Sequence, residues 1–274
     1  MRINLMTVAG LLFAVQIWAA PLWASDLARE GRIAAEIQDA LLVGEPLTLQ
    51  AQGVEFFAIQ AAEETDYIQG AAIILHGRGA HPDWVDVINP LRSRLPEYGW
   101  KTLSIQLPIA ASDASDWVYR ELIPEAFPRI TAAVEHLKRQ GVTNIVLIGH
   151  SLGARMGVEY LAQGAPAELR AFVAIGLSVD NSIADSGIPD SGTLGALKKL
   201  RLPLLDIYGS RDIDPVLNSA AARSAASRQA ENGAYRQTRV DGADHFFNGL
   251  NDTLVAEVRA WLGRVAPGEE RRVR

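Results

Sequence analysis

Asn144-Ile145-Val146-Leu147-Ile148-Gly149-His150-Ser151-Leu152-Gly153-Ala154-Arg155-Met156-Gly157-Val158 reads as a buried strand, a tight corner and a helix. The run from Ile145 to Ile148 is short, apolar and rich in β-branched residues, as in a parallel strand covered on both faces. Leu152, Met156 and Tyr160 then recur at helical spacing. Ser151 stands at the corner. A strand that turns directly into a helix strains its corner residue, so the neighbours two before and two after must be nearly free of side chain, and here they are Gly149 and Gly153. Such a corner holds the hydroxyl outward. Gly-x-Ser-x-Gly alone is a weak signal; the strand before it and the helix after it give it meaning.

Outward from this unit, strands and helices alternate. Short, largely apolar runs at 71–77, 102–108, 169–176 and 203–209 read as strands, 235–240 as a last strand, and 47–49 with 54–59 as an antiparallel hairpin at the sheet edge. Helical patterns occupy about 26–42, 83–95, 118–139, 194–200, 216–231 and 250–265, the last placing Leu254, Val258, Trp261 and Leu262 on one face. This alternation predicts a mostly parallel twisted sheet of about eight strands with helices on both faces. Residues 177–201 lack a long apolar pattern, so no large cap domain is expected. In such sheets the chemistry lies at the carboxyl ends of the strands.

The 274 residues are 49% hydrophobic and 21% charged, with a formal charge of -6, ordinary globular composition that argues against a nucleic-acid partner. Residues 1–24 read as a secretory signal: Arg2 is the early charge, 5–20 is mostly apolar, and Ala24 suits the cleavage position. The expected organisation is therefore a signal at 1–24, an N-terminal helix within 25–44 capped by Ser25 or Asp26, one α/β domain over 45–265, and a charged flexible tail at 266–274. No stable membrane span is expected after signal removal, and the location would be periplasmic or secreted. With no cysteine, the chain has neither disulfides nor a thiol nucleophile.

A serine hydroxyl is a poor nucleophile near neutral pH, so it needs an adjacent base, and that base an acid to orient it. Of five histidines, His136 falls inside a helix and His150 is the variable corner position, expected to point away from the hydroxyl. His76 suits bracing of a loop, and His81 shares that loop. His245 follows the last strand and is the favoured base. For the acid, Asp212 lies immediately after a strand and is favoured over Asp214, which precedes Pro215 and suits the start of the next helix.

In the order Gly149-His150-Ser151-Leu152-Gly153, Gly209-Ser210-Arg211-Asp212 and Gly242-Ala243-Asp244-His245, the chain resembles the α/β-hydrolase superfamily over about 45–265, and within it an exported proteobacterial branch. His76-Gly77-Arg78-Gly79 is similar to the family's oxyanion loop. The resemblance implies an α/β-hydrolase fold and an oxyanion hole built from the backbone amides of Leu152 and of Arg78 or Gly79. It departs from many esterases at Arg78, where they have glycine; the side chain either meets an anionic substrate group or points to solvent. These readings converge on a serine hydrolase acting on a small-molecule acyl substrate, a carboxylic ester or thioester, with no cofactor and no metal. The rival is a catalytically silent member of the fold, used for binding in the cell envelope. Neither the acyl specificity nor the oligomeric state is written in the sequence.

Overall fold

A computed structural model describes residues 25–179 and 192–268; the expected signal, residues 180–191 and tail residues 269–274 lie outside them. Strands β1 (Glu45–Ala51), β2 (Val54–Ala61), β3 (Gly70–Leu75), β4 (Trp100–Ile105), β5 (Ile145–His150), β6 (Leu169–Ile175), β7 (Leu204–Gly209) and β8 (Tyr235–Val240) form one eight-stranded sheet, in the order β1-β2-β4-β3-β5-β6-β7-β8. The β1–β2 hairpin is antiparallel and forms one edge, β2 pairs antiparallel with β4, and every other pairing is parallel. The open, mostly parallel sheet is thus as the alternation predicted.

Helices α1 (Leu27–Ala40), α2 (Ile88–Arg94), α3 (Asp116–Arg139), α4 (Leu152–Leu161), α5 (Gly192–Leu197), α6 (Asp214–Gln229) and α7 (Asn251–Val265) flank it. Alternate strand residues feed two large cores, while Phe57 and Ile59 of β2 form a smaller one with Ile37 of α1. Ile73, Leu75, Leu147 and Phe172 pack with Leu122 and Ile130 of α3 and Met156 and Val158 of α4. On the opposite face Ile74, Val146, Ile148, Val173 and Ile207 pack with Leu91 of α2 and Leu254, Val258 and Trp261 of α7. Each such side chain, fully buried, contributes roughly 1.5–3 kcal/mol. Among the described residues, the segment after β6 supplies only α5 and no cap domain.

The helix expected from residue 83 begins instead at Ile88. Val87 adopts φ 60°, outside the helical region, and the Asp83 carboxylate takes hydrogen bonds from Asn89 Nδ2 (2.7 Å) and from the Arg92 guanidinium. Buried Val87, Ile88, Leu91 and Leu95 carry the apolar spacing across the turn, which is why the pattern looked helical throughout. Asp26 caps α1, accepting the Arg29 N–H at 2.9 Å. The same helix is fastened to α3 and to the loop after β4: Glu30 pairs with Arg129 of α3 at 2.8 Å, both buried, and Arg29 donates to the Ala110 carbonyl of the loop at 2.7 Å.

The parallel register aligns the ends that matter. Leu75 pairs with Gly149, Gly149 with Ala174 and His150 with Ile175, so the chain leaves β3, β5 and β6 at one level. Gly209 of β7 pairs with Val240 of β8. Every loop that carries a candidate residue therefore opens on the same edge.

Candidate active site

Ser151 sits between β5 and α4 with φ 54° and ψ −116°, a region that side chains rarely adopt. The strain is held by packing on both sides. A Cβ on Gly149 would lie 2.7 Å from the Ala154 Cα and the Gly153 carbonyl, and one on Gly153 would lie 2.4 Å from the His76 carbonyl. The Ser151 N–H is fixed to the Ile175 carbonyl at 2.8 Å, which ties the corner to β6. Its side chain is half-buried.

His245 and Asp212 come to this serine from the last two strand ends. The Ser151 hydroxyl donates to His245 Nε2 at 3.0 Å, and His245 Nδ1–H donates to Asp212 Oδ1 at 2.6 Å. Asp212 also accepts the main-chain N–H of Ile213 at 2.8 Å and of Gly209 at 3.2 Å, so its carboxylate is oriented on both oxygens. His245 is 8% exposed and Asp212 5%, so little water competes for these bonds. Asp214 is the exposed first residue of α6 and takes no part in this chain of hydrogen bonds.

The two loops are built as a unit. Ser210 N–H and Arg211 N–H bond the carbonyls of Val240 and Ala243, each at 2.9 Å, while Gly242 N–H returns to Ser210 Oγ at 2.8 Å. Asp244, next to His245 in the chain, accepts the N–H groups of Phe246 (3.0 Å) and Asn248 (3.1 Å) and so fixes the turn that presents His245. Its carboxyl is desolvated, yet the Asn248 and Phe246 hydrogen bonds outweigh that and hold it below the usual carboxylate range.

Leu152, Arg78 and Gly79, the residues matched to an oxyanion hole, line one crevice with His76, Ile109, Tyr119 and Met156. Leu152 is the first residue of α4, where the helix offers its N–H no upstream carbonyl. Gly79 has φ 71°, which glycine alone adopts readily. His76 braces this loop: Nδ1–H donates to the Gly77 carbonyl (2.9 Å) and Nε2 accepts the Leu107 N–H (3.0 Å). Burial pushes His76 down to about 3, so it stays neutral. The Arg78 side chain is exposed, its guanidinium 3.9 Å over the Tyr119 ring.

The remaining histidines separate clearly. His136 bonds Gln60 and Gln140 at the surface, and His81 accepts the Asp83 N–H within its own loop. His150 turns away from the Ser151 hydroxyl, as expected, but toward the base candidate. It makes no bond to Ser151, but its ring packs 4.9 Å from that of His245, and Nε2–H donates to the His245 carbonyl at 2.9 Å. Burial first, then the neighbouring His245, pushes it down to about 4. A second residue with no sequence signature of its own is Gly176, at φ 58° beside the His245 ring. Its only hint was a glycine ending an apolar strand.

The profile of the family described as "Protein of unknown function (DUF3530)" matches residues 24–121 and 110–264. Among curated proteins, a glutamyl-tRNA reductase of Solibacter usitatus (strain Ellin6076) is 26% identical over 201 residues, 68% of this chain and 45% of that protein. The chain therefore spans less than half the length of that relative. Among solved structures, Est1E from Butyrivibrio proteoclasticus is similar with a TM-score of 0.63 and 18% identity, over 81% of this chain and 98% of its own. The Pyrococcus furiosus esterase Pf2001 gives 0.67 and 15%, over 84% and 95%. XC6422 from Xanthomonas campestris, described as an a/b serine hydrolase without lid, gives 0.59 and 17%, over 83% and 97%. At these identities the likeness is one of fold, and the fold is that of the α/β hydrolases.

Proposed function

We propose that this chain, which belongs to the DUF3530 family, is a serine hydrolase that cleaves a carboxylic ester or thioester through an acyl-enzyme. The observation that carries the reading is the hydrogen-bonded chain from Ser151 through His245 to Asp212, with its serine in a strained corner conformation. Strain of that kind persists only where the surrounding structure imposes it, and it gathers at sites that use it.

Ser151 Oγ attacks the acyl carbon while its proton passes to His245 Nε2. Asp212, already bonded to Nδ1, stabilises the imidazolium. The oxygen that gains negative charge is held by the amides of Leu152 and of Arg78 or Gly79, a contribution of several kcal/mol in sites of this type. Collapse of the tetrahedral intermediate expels the alcohol or thiol, which takes the proton from Nε2. Water then attacks the acyl-enzyme with His245 as base, releasing the acid and restoring the serine. The steps require neither metal nor cofactor. The likeness in fold to esterases supports this reaction class, and the short segment after β6 supports an open site for soluble small-molecule acyl substrates.

The site works, in this reading, outside the cytoplasm: residues 1–24 form a cleaved export signal, 25–44 an N-terminal helix, 45–265 the hydrolase domain and 266–274 a charged tail, as in an exported proteobacterial branch. Labelling of the purified chain with a fluorophosphonate probe tests the chemistry. Wild type should label, and Ser151→Ala and His245→Ala should not. A folded wild type that stays unlabelled would make the chain a silent member of the fold, acting by binding.

A further inference from the structure

His150 has a larger part than its place as the variable corner residue suggests. It is 2% exposed and belongs to β5, immediately before Ser151, yet its ring lies among residues of the loop after β8, 4.9 Å from the His245 ring and 5.7 Å from Phe246. Among the described residues, its ring makes one hydrogen bond, to the main-chain oxygen of His245. A carbonyl oxygen can only accept, so Nε2 must carry the proton, and Nδ1 is then an unprotonated nitrogen. Among the described residues Nδ1 is buried without a hydrogen-bond partner, and a Cβ on Gly77 would lie 3.0 Å from it. The ring thus stands against the start of the His76–Gly79 loop on one side and grips the His245 backbone on the other.

We propose, building on the hydrolase reading, that His150 is a positioning residue, whose Nε2–H clamps the His245 carbonyl and so fixes where the His245 ring meets Ser151. The imidazole of His245 is free to pivot about its side-chain bonds unless both ends are held. Asp212 holds the ring at Nδ1; His150 holds the main chain from which the ring projects. Because His150 and Ser151 are consecutive, the clamp measures the position of the base directly from the backbone of the nucleophile. A buried donor of this kind is also committed: removing it leaves the His245 carbonyl to find another partner in a dry site.

Glutamine and methionine separate the hydrogen bond from packing, since both reach as far as His150 Nε2 and only glutamine donates there. In His150→Met, labelling by the fluorophosphonate probe and kcat for p-nitrophenyl acetate should fall about 10²-fold, the cost of a misplaced catalytic group, with KM nearly unchanged. His150→Gln should recover most of the loss. On a His245→Ala background the two should be alike. Equal activity of His150→Met and wild type, or equal loss in both variants, overturns the proposal. A measurement on unmutated protein stands apart from turnover: in the full chain labelled with nitrogen-15 histidine, His150 should appear at pH 7 as the Nε2–H tautomer and His245 as Nδ1–H. A His150 proton on Nδ1 overturns the clamp. Absence of labelling in wild type with the Nε2–H tautomer intact would instead count against the hydrolase reading alone.

Discussion

Gly176 and His245 are in such close contact that a Cβ added to the glycine would lie 2.9 Å from the imidazole Cε1 and 3.0 Å from Nδ1, with Asp212 Oδ2 at 3.6 Å. The end of β6 is therefore the floor on which the His245 imidazole and the Asp212 carboxylate rest. Gly176→Ala should tilt the imidazole and lower kcat/KM for p-nitrophenyl acetate about 10²-fold. The positive φ of 58° adds a stability loss of about 1 kcal/mol, read by urea unfolding. Wild-type turnover in that variant would show that the ring has room the structure does not reveal.

The choice between the two aspartates can be made kinetically. Asp212→Asn keeps the shape of the site but offers His245 Nδ1 an amide, and kcat should drop by about 10⁴-fold while the melting temperature stays close to wild type. Asp214→Asn, at the exposed start of α6, should leave kcat within a factor of about two. The reverse pattern would reassign the acid.

A third aspartate serves stability. Asp206, 1% exposed, receives Arg223 Nε at 2.8 Å, the Tyr235 hydroxyl at 2.8 Å and Gln237 Nε2 at 2.9 Å. Removing one member of a buried pair strands the other charge, so Arg223→Met should destabilise the chain by about 3–5 kcal/mol. Denaturant midpoints would register it, and any molecules still folded should label with the fluorophosphonate at the wild-type rate.

Acid should weaken the fold before it titrates the exposed carboxylates. His76 and His150 are held at about 3 and about 4 against an ordinary 6.5, above all by burial. Between those values the unfolded chain binds protons that the folded chain refuses. The stability they confer is complete above pH 6.5 and declines as pH falls toward the folded values. Each contributes a slope of up to about 1.4 kcal/mol per pH unit. Glu30, raised by burial despite Arg129, acts in the opposite sense. Comparing wild type with His150→Gln cancels it: urea unfolding free energies at pH 6.5 and 5 should differ less in the variant, and identical slopes would refute the assignment.

Much of this was readable from local pattern. Gly149 and Gly153 flank Ser151 in sequence because the corner demands it, and each strand carries its burial in its own composition. Asp212 and His245 followed from their places after strand ends, since a parallel sheet brings those ends to one edge. What could not be read depends on partners far apart in the chain. Glu30 meets Arg129, Asp206 meets Arg223, and Gly176 touches His245 only once the sheet has ordered its strands. Val87 escaped notice for another reason: a residue at φ 60° interrupts a helix without disturbing the spacing of its apolar residues. His150 points away from the Ser151 hydroxyl as expected, but its contact with the His245 backbone depends on a loop nearly a hundred residues further along the chain.

The sheet separates two main cores, and the hydrogen-bonded pair Ser151 and His245 straddles it: Ser151 opens α4, which packs on one side, while His245 belongs to the loop leading into α7, which packs on the other. Either layer slipping by a fraction of an ångström parts the two without unfolding anything. On heating, turnover should fade ahead of the loss of helical circular dichroism, so the catalyst would act as a more sensitive thermometer of the protein than its own secondary structure.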